Sequence, residues 1–463
     1  MEARETDNAA PPVIDRLLVP FRYFLHNEVS GSLLLLAATV FALIWANSPW
    51  AESYVHLWET PVTVGVGGIT ITEGLHLWIN DGLMAMFFFV IGLEIKREVM
   101  VGELSSRQDA ILPIAAALGG MLGPALIYLL FNWDGPGRIG WGTPVATDIA
   151  FALGVLVLLG DRVPPALKVF LAAFAIADDL AAVLVIAFFY TSAISWVSLA
   201  TGLGFLVILA VMNLIGVRHT LAYGVFGIGG VWLAFLFSGM HPTIAGVLAA
   251  MTIPASSRIS PGKFVERSRG TIDVFETVGG PGDDILTNSD RQSALLQMRL
   301  TYEQLASPLH RLEKSMHPWV SFVVLPLFAL ANAGVTLEAN LGEALSDPVA
   351  LGVMAGLIVG KQAGITACAW AVVRLGWSRL PSGVNWRHIY GVSWLGGIGF
   401  TMSIFIAGLA FDDAQVLERA KLAILLASLV AGVVGYFYLR KQAAGDANKE
   451  TGIQHARKIE DRA

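Results

Sequence analysis

Two adjacent aspartates, Asp178 and Asp179, sit in the middle of VFLAAFAIADDLAAVLVIAFF (169–189), a run that is otherwise apolar from end to end. Asp148 follows Thr147 in GTPVATDIAFALG, and Lys361 interrupts GLIVGKQAGITACAW, so three acids and one base occupy segments suited to lipid. A charge in mid-membrane costs at least about 2.5–3.5 kcal/mol on insertion scales, which directs it towards a partner charge or a wet cavity. Successive helical residues point about 100° apart, so Asp178 and Asp179 do not face one partner squarely together. One is available to an ion and the other to a counter-charge. Two carboxylates held close in poorly hydrated surroundings also bind protons more tightly than either would alone. Such a pair offers anionic oxygens to a small hard cation, so proton and cation compete for it. The plainer reading has Lys361 neutralise the acids while the cluster helps to pack the bundle. Both hold if Lys361 pairs with one aspartate and the other binds the ion.

A second signal lies in the backbone. Pro144 and Thr147 fall near the middle of the Asp148 segment, and LGGIGFTMS carries Gly396, Gly397 and Gly399 ahead of Thr401 and Ser403. Glycine and proline at matching places in two halves of a transporter point to discontinuous helices around a midplane site. Free N–H groups at such breaks carry partial positive charge, which Asp148 balances, and free carbonyls carry partial negative charge, which Lys361 balances. Close helix packing by small residues accounts equally well for the glycine-rich stretch.

The elements that must position these residues follow from composition. Hydrophobic residues make up 55% of the 463-residue chain and charged residues 14%, with a mean hydropathy of +0.65. These values describe an integral membrane protein. The net charge is −6 and the basic residues are scattered, which excludes nucleic-acid binding. The single cysteine, Cys368, allows no intrachain disulfide. The opening MEARETDNAAPP lacks the basic-then-apolar order of a cleavable signal, so the first apolar helix is expected to remain.

A bilayer core needs roughly 20 apolar residues per helix. On that measure about twelve spans are expected near 30–49, 76–95, 109–131, 143–160, 166–190, 195–216, 220–237, 241–254, 317–335, 348–375, 388–410 and 420–439. Of the 30 Lys and Arg, one alternate set of loops holds only Arg138, Arg419 and Lys421. Positive charge collects on the cytoplasmic side, which puts both termini there and makes the number of crossings even. The expected organisation is a cytoplasmic segment 1–28, eight spans over 29–254, a polar cytoplasmic loop 255–316, four spans over 317–440 and a cytoplasmic tail 441–463. PVTVGVGGITIT (61–72) alternates around Gly67–Gly68 and predicts a small extracytoplasmic β-hairpin whose edge can pair with another chain.

At these residues the chain resembles the NhaA-type sodium/proton antiporter family of bacterial inner membranes. The motifs are GLEIKREVM (92–100), ATDIAFALGVL (146–156), AIADDLAA (175–182), FFYT (188–191), LPLFALANAGV (325–335), VGK (359–361) and GIGFTMSIFIA (397–407). They keep the family's order over nearly the whole chain. The resemblance implies an all-α polytopic fold of about twelve helices, with inverted repeats and two crossing discontinuous helices at the fourth and eleventh spans. It also implies electrogenic exchange of Na+ or Li+ for H+ under pH control.

Carried over, Asp178 and Asp179 match the ion- and proton-binding pair, with Asp179 the more central Na+ ligand. Asp148 and Thr147 match the broken-helix site, and Lys361 matches the lysine that pairs with Asp178. Glu94, Lys96, Arg97 and Glu98 match a cytoplasmic-mouth cluster tied to pH control, although interfacial charges that set topology read the same way. His241, Glu313 and His317 match further pH-linked positions. The 61–72 hairpin resembles the element that joins family homodimers. Two features depart from the family: the 255–310 loop is much longer, and Lys314 stands where a histidine is expected.

No cofactor is implied and no enzyme activity is expected. An intramembrane aspartyl protease would use embedded acids and a G-x-G-D pattern. GPGD at Gly280–Asp283 fits that pattern, but it lies in the polar loop, and adjacent aspartates on one helix do not flank a scissile bond as a dyad does. GLIVGK lacks one residue of the P-loop spacing and is followed by Gln362. A cation channel would use the same acids, while broken helices in both halves favour alternating access.

Overall fold

The computed structural model describes residues 28–66, 69–191, 194–278, 288–336 and 341–460. The amino-terminal segment through residue 27, the hairpin tip Gly67–Gly68 and the GPGD stretch lie outside the described residues. Most of the described chain is helical, as lipid requires of a backbone that must satisfy its own polar groups.

Among the described residues, seven helices are long and apolar enough to cross a membrane: Leu75–Val101, Arg107–Asn132, Pro165–Phe189, Trp196–Leu214, Pro308–Asn332, Pro348–Arg374 and Ala414–Ala444. Two bent pairs pass the same criterion jointly. Ser30–Ala46 meets Ala51–Glu59 at 114°, and Trp386–Gly396 meets Phe400–Ala410 at 47°. Among the described residues, then, length and composition support up to nine spans where the hydropathy pattern predicts about twelve. The other three stretches form the shorter apolar helices Ile149–Leu158, Thr220–Leu236 and Pro242–Thr252. In the first of these the shortfall has a local cause, because the chain is irregular at residues 146–148 and the helix starts only after Asp148.

By internal packing the chain divides into two units. The larger contains the described residues up to Phe87, Glu98–Thr191 and everything from Pro318 onward. Within it, helices Arg107–Asn132 and Pro348–Arg374 pack backbone to backbone. A Cβ at Gly119 would run into the carbonyl of Gly364, and one at Gly123 into the carbonyl of Gly360. Small residues at such a seam allow close approach, and close approach supplies the packing energy that helices in lipid cannot draw from water. Large side chains point outwards elsewhere on this unit: Leu130 is 81% exposed on Arg107–Asn132, as suits a lipid-facing surface. Strands Pro61–Val66 and Ile69–Gly74 pair antiparallel with Thr63 opposite Thr72, their hydroxyls 2.9 Å apart. The second strand continues two residues past the predicted hairpin.

The smaller unit comprises Phe88–Arg97 and Ser192–His317. It contains three apolar helices, Trp196–Leu214, Thr220–Leu236 and Pro242–Thr252, followed by the polar interval. That interval is largely helical. Pro261–Thr277 begins with Ser260 capping Lys263, and Ser289–Leu305 begins with Asn288 capping Asp290 and Arg291. The two are tied by Arg267 to Gln304 at 2.8 Å. The following helix starts at Pro308, inside the predicted loop 255–316, because its polar first turns escape a hydropathy window. At the other end of the chain, Ala414–Glu460 runs as one helix through most of the predicted tail 441–463.

Candidate functional site

Within the larger unit, two interrupted helices meet at their breaks. One break is the non-helical segment ahead of Ile149–Leu158, and the other is Gly397–Gly399, between Trp386–Gly396 and Phe400–Ala410. The breaks satisfy each other's backbone. The Asp148 N–H donates to the carbonyl of Ile398 at 2.7 Å, and the Thr147 hydroxyl donates to the carbonyl of Gly396 at 2.8 Å. Both Thr147 and Asp148 are buried.

Asp148 serves two helix starts at once. Its Oδ1 accepts the Phe151 N–H at 3.1 Å, capping its own helix. Its Oδ2 accepts the Thr401 N–H at 3.1 Å and also the Thr401 hydroxyl, in the first turn of the helix after the other break. A carboxylate at a helix N-terminus is favoured both by the free N–H groups and by the helix dipole, and here two N-termini converge on one acid. Phe400, the residue before Thr401, donates its N–H to Ser428 Oγ at 3.1 Å.

Lys361 ties the crossing to the aspartate pair. Its Nζ donates to Asp178 Oδ2 at 2.8 Å and to Thr147 Oγ1 at 3.0 Å, and the lysine and Asp178 side chains are 0% exposed. Thr147 thus accepts from the ammonium and donates to Gly396, so a buried positive charge reaches a free helix carbonyl through one hydroxyl. Lys361 ranks among the largest fully buried side chains, and its ammonium lies 5.9 Å from the centre of the Phe174 ring. Asp179 is 1% exposed and within Coulombic reach of Lys361. The neighbouring aspartates share one helix, and the ammonium's hydrogen bond goes to Asp178. Among the described residues the three acids do not gather into one multidentate cluster, and Asp148 is turned to Thr401.

The glycines act by size. At Gly397 a Cβ would stand 2.6 Å from the carbonyl oxygen of Leu357, and at Gly356 it would stand 2.8 Å from Pro144 Cβ. Pro144 and the glycine break therefore both lie against the Lys361 helix.

The residues expected at a cytoplasmic mouth fall in two places. In the smaller unit, Lys96 Nζ donates to the carbonyls of Met251 and Ile253 at 2.6 and 2.5 Å, capping the end of Pro242–Thr252. Arg97 pairs with Glu313, which is buried. His241 Nδ1 lies 2.8 Å from Thr243 Oγ1, whereas His317 and Lys314 are exposed. Glu94 belongs to the same unit. Glu98 belongs to the larger one, where its Oε2 accepts the Glu103 N–H at 3.1 Å. Two residues of the crossing had little sequence signal as site members. Thr401 stood out only as a polar neighbour of the glycines, and Ser428 sits in an ordinary apolar stretch.

A helical chain with outward apolar faces and a buried centre of three acids and one lysine at interrupted helices defines a multi-pass membrane protein with an intramembrane polar site. The sequence matches the family described as Na+/H+ antiporter 1 over residues 22–439. A relative from Oleidesulfovibrio alaskensis, named Na(+)/H(+) antiporter NhaA, is 51% identical over 440 residues, covering 95% of this chain and 98% of that one. One of the same name from Koribacter versatilis is 47% identical over 431 residues, covering 93% of each. The chain belongs to the Na+/H+ antiporter 1 family. A solved sodium proton antiporter from Methanocaldococcus jannaschii aligns over 92% of this chain at 11% identity, with a TM-score of 0.40 that is too low to define a shared fold.

Proposed function

We propose that this protein exchanges Na+ for H+ across a bacterial inner membrane, with Asp178 and Asp179 holding proton and cation in turn. The observation that carries the reading, beside family membership, is the asymmetry of the pair. Asp178 faces a buried ammonium at 2.8 Å, while Asp179 shares its dry surroundings on the same helix. A cation arriving at the pair competes with protons for the same oxygens and with Lys361 for Asp178. Asp179 is the principal Na+ ligand in this scheme, and Li+, a smaller hard cation, uses the same oxygens. Asp148 and Thr147 hold the crossing together, and Lys361 compensates charge. The two interrupted helices provide the moving parts that turn the site from one face to the other.

The distribution of basic residues supports an orientation with both termini cytoplasmic. More than one proton exchanged per Na+ would make the exchange electrogenic. Arg97, Glu313, Lys96, Glu94, Glu98, His241 and His317 are the candidates for pH control. The two-stranded sheet at 61–74 is the candidate homodimer contact, since an isolated pair of strands leaves outer edges open.

The test uses inside-out vesicles with an acid interior. Added Na+ releases protons and collapses the pH gradient, whereas a channel shows no obligatory exchange and a protease shows no sodium-coupled proton flux. Native-rate exchange by Asp179→Asn would overturn the assignment.

A further inference from the structure

Buried polar atoms that find no protein partner concentrate beside the crossing. Thr143 Oγ1, Ser403 Oγ and both amide atoms of Gln362 form no hydrogen bond among the described residues. The three residues are 0%, 0% and 4% exposed. An amide or hydroxyl taken out of water without a partner is costly, so groups of this kind mark places where a polar guest is accommodated.

The three lie along one file of contacts. Thr143 precedes Pro144, which packs on Gly356, the first residue of a widened π-helical turn, Gly356–Gly360, just ahead of Lys361. Leu357, the next residue, meets the glycine break twice. Its carbonyl oxygen would stand 2.6 Å from a Cβ on Gly397, and its Cδ2 3.0 Å from a Cβ on Gly399. Gln362 Nε2 stands 2.9 Å from the same Gly397 position, and Ser403 Oγ lies against Gly399. π-helical turns recur at functional sites because the wider winding displaces side chains and backbone groups from their usual partners.

The chain direction gives this file a side. Thr143 follows the loop that carries Arg138, Ser403 belongs to the helix that ends at Ala410 before the loop of Arg419, and Gly356 lies between Pro348 and Lys361. The segments carrying Thr143 and Ser403 reach the crossing from the ends poor in basic residues, which the antiport reading assigns to the outer face, while Gln362, the residue after Lys361, stands at the level of the crossing itself.

We propose that Thr143 and Ser403 line the outer leg of the cation's route, between the carboxylate pair and the outer face, with Gln362 at its inner end beside the glycine break. The proposal rests on the antiport reading and its orientation. Neutral hydroxyl and amide oxygens suit this role. They are hard ligands that replace part of a monovalent cation's hydration, and they lack the charge that would trap it.

The single native cysteine makes a direct test simple. In a Cys368→Ser background, Gln362→Cys and Ser403→Cys are made separately and treated with a small cationic, membrane-impermeant thiol reagent. Right-side-out and inside-out vesicles are compared, and Na+/H+ exchange is measured in the same preparations. Both cysteines are expected to react at least about tenfold faster from the outer side, and Na+ or Li+ should slow them. Ser403→Cys exchanges one oxygen for sulfur, so it remains informative where the longer side chain fails to fold. Reaction only from the cytoplasmic side, or none in protein that exchanges Na+ for H+, overturns the route. Absence of Na+/H+ exchange in the wild-type protein in the same vesicles would instead count against the antiport reading itself.

Discussion

Replacing Lys361 with alanine removes the ammonium that Asp178 faces at 2.8 Å, with neither side chain exposed. Removing one partner of a buried pair costs about 3–5 kcal/mol, because the surviving charge is left uncompensated where water does not reach. The upper half of that range is expected here. The same ammonium also donates to Thr147 at 3.0 Å, and its loss leaves a lysine-sized gap beside Phe174. Denaturation of detergent-purified wild type, Lys361→Ala, Asp178→Asn and the double variant gives the comparison. The single lysine variant should lose about 4 kcal/mol, and adding Asp178→Asn should restore about half of that, since the double variant no longer buries a bare carboxylate. A Lys361→Ala protein within about 1 kcal/mol of wild type, or a double variant no more stable than it, would refute the claim that these groups form a buried charge pair.

Asp179→Asn should fold with near-native stability yet lose Na+-driven proton release in inside-out vesicles, and retention of exchange would move the cation elsewhere. Thr401→Val deletes a hydroxyl bound to a carboxylate and should cost about 1.5–3 kcal/mol in the same denaturation series. Asp148→Ala should cost more, because the Phe151 and Thr401 N–H groups both lose their acceptor; equal losses would mean that the hydroxyl alone holds the crossing. Lys96→Met should lower stability by about 1–3 kcal/mol through its two lost carbonyl contacts, while leaving the apparent Na+ affinity unchanged. A changed affinity would give Lys96 a part in the transport path.

The charged centre was readable from the sequence because its signals are local. Asp148, Asp178, Asp179 and Lys361 stand out against apolar neighbours, and Pro144 and the 396–399 glycines mark helix breaks without reference to anything distant. The pairing of those parts was not readable from local signals. Thr401 and Asp148 are 253 positions apart, and Thr147 and Gly396 are 249 apart, so only the folded chain joins them. A window of apolar residues is also blind to the 114° bend after Ala46 and to the short reach of Pro242–Thr252. At Pro308 a polar opening hides the first turns of a helix from the same window. The cap at Ser260–Pro261, a serine followed by proline at the first helical position, is a legible start signal within the interval predicted as loop.

The glycine seam between Arg107–Asn132 and Pro348–Arg374 bears on motion. Gly119 and Gly123 recur four apart on one helix, Gly360 and Gly364 four apart on the other, and each lies against backbone across the seam. Such a joint has no flexible side chains to absorb slip. Turning or sliding either helix by one position would drive Leu118 or Leu122 into peptide groups that now meet only hydrogens. The two helices consequently travel as one rigid body, with Lys361 carried like a fixture on a beam. Any rearrangement that separates this ammonium from Asp178 must come from the aspartate helix and the interrupted helices moving past that beam.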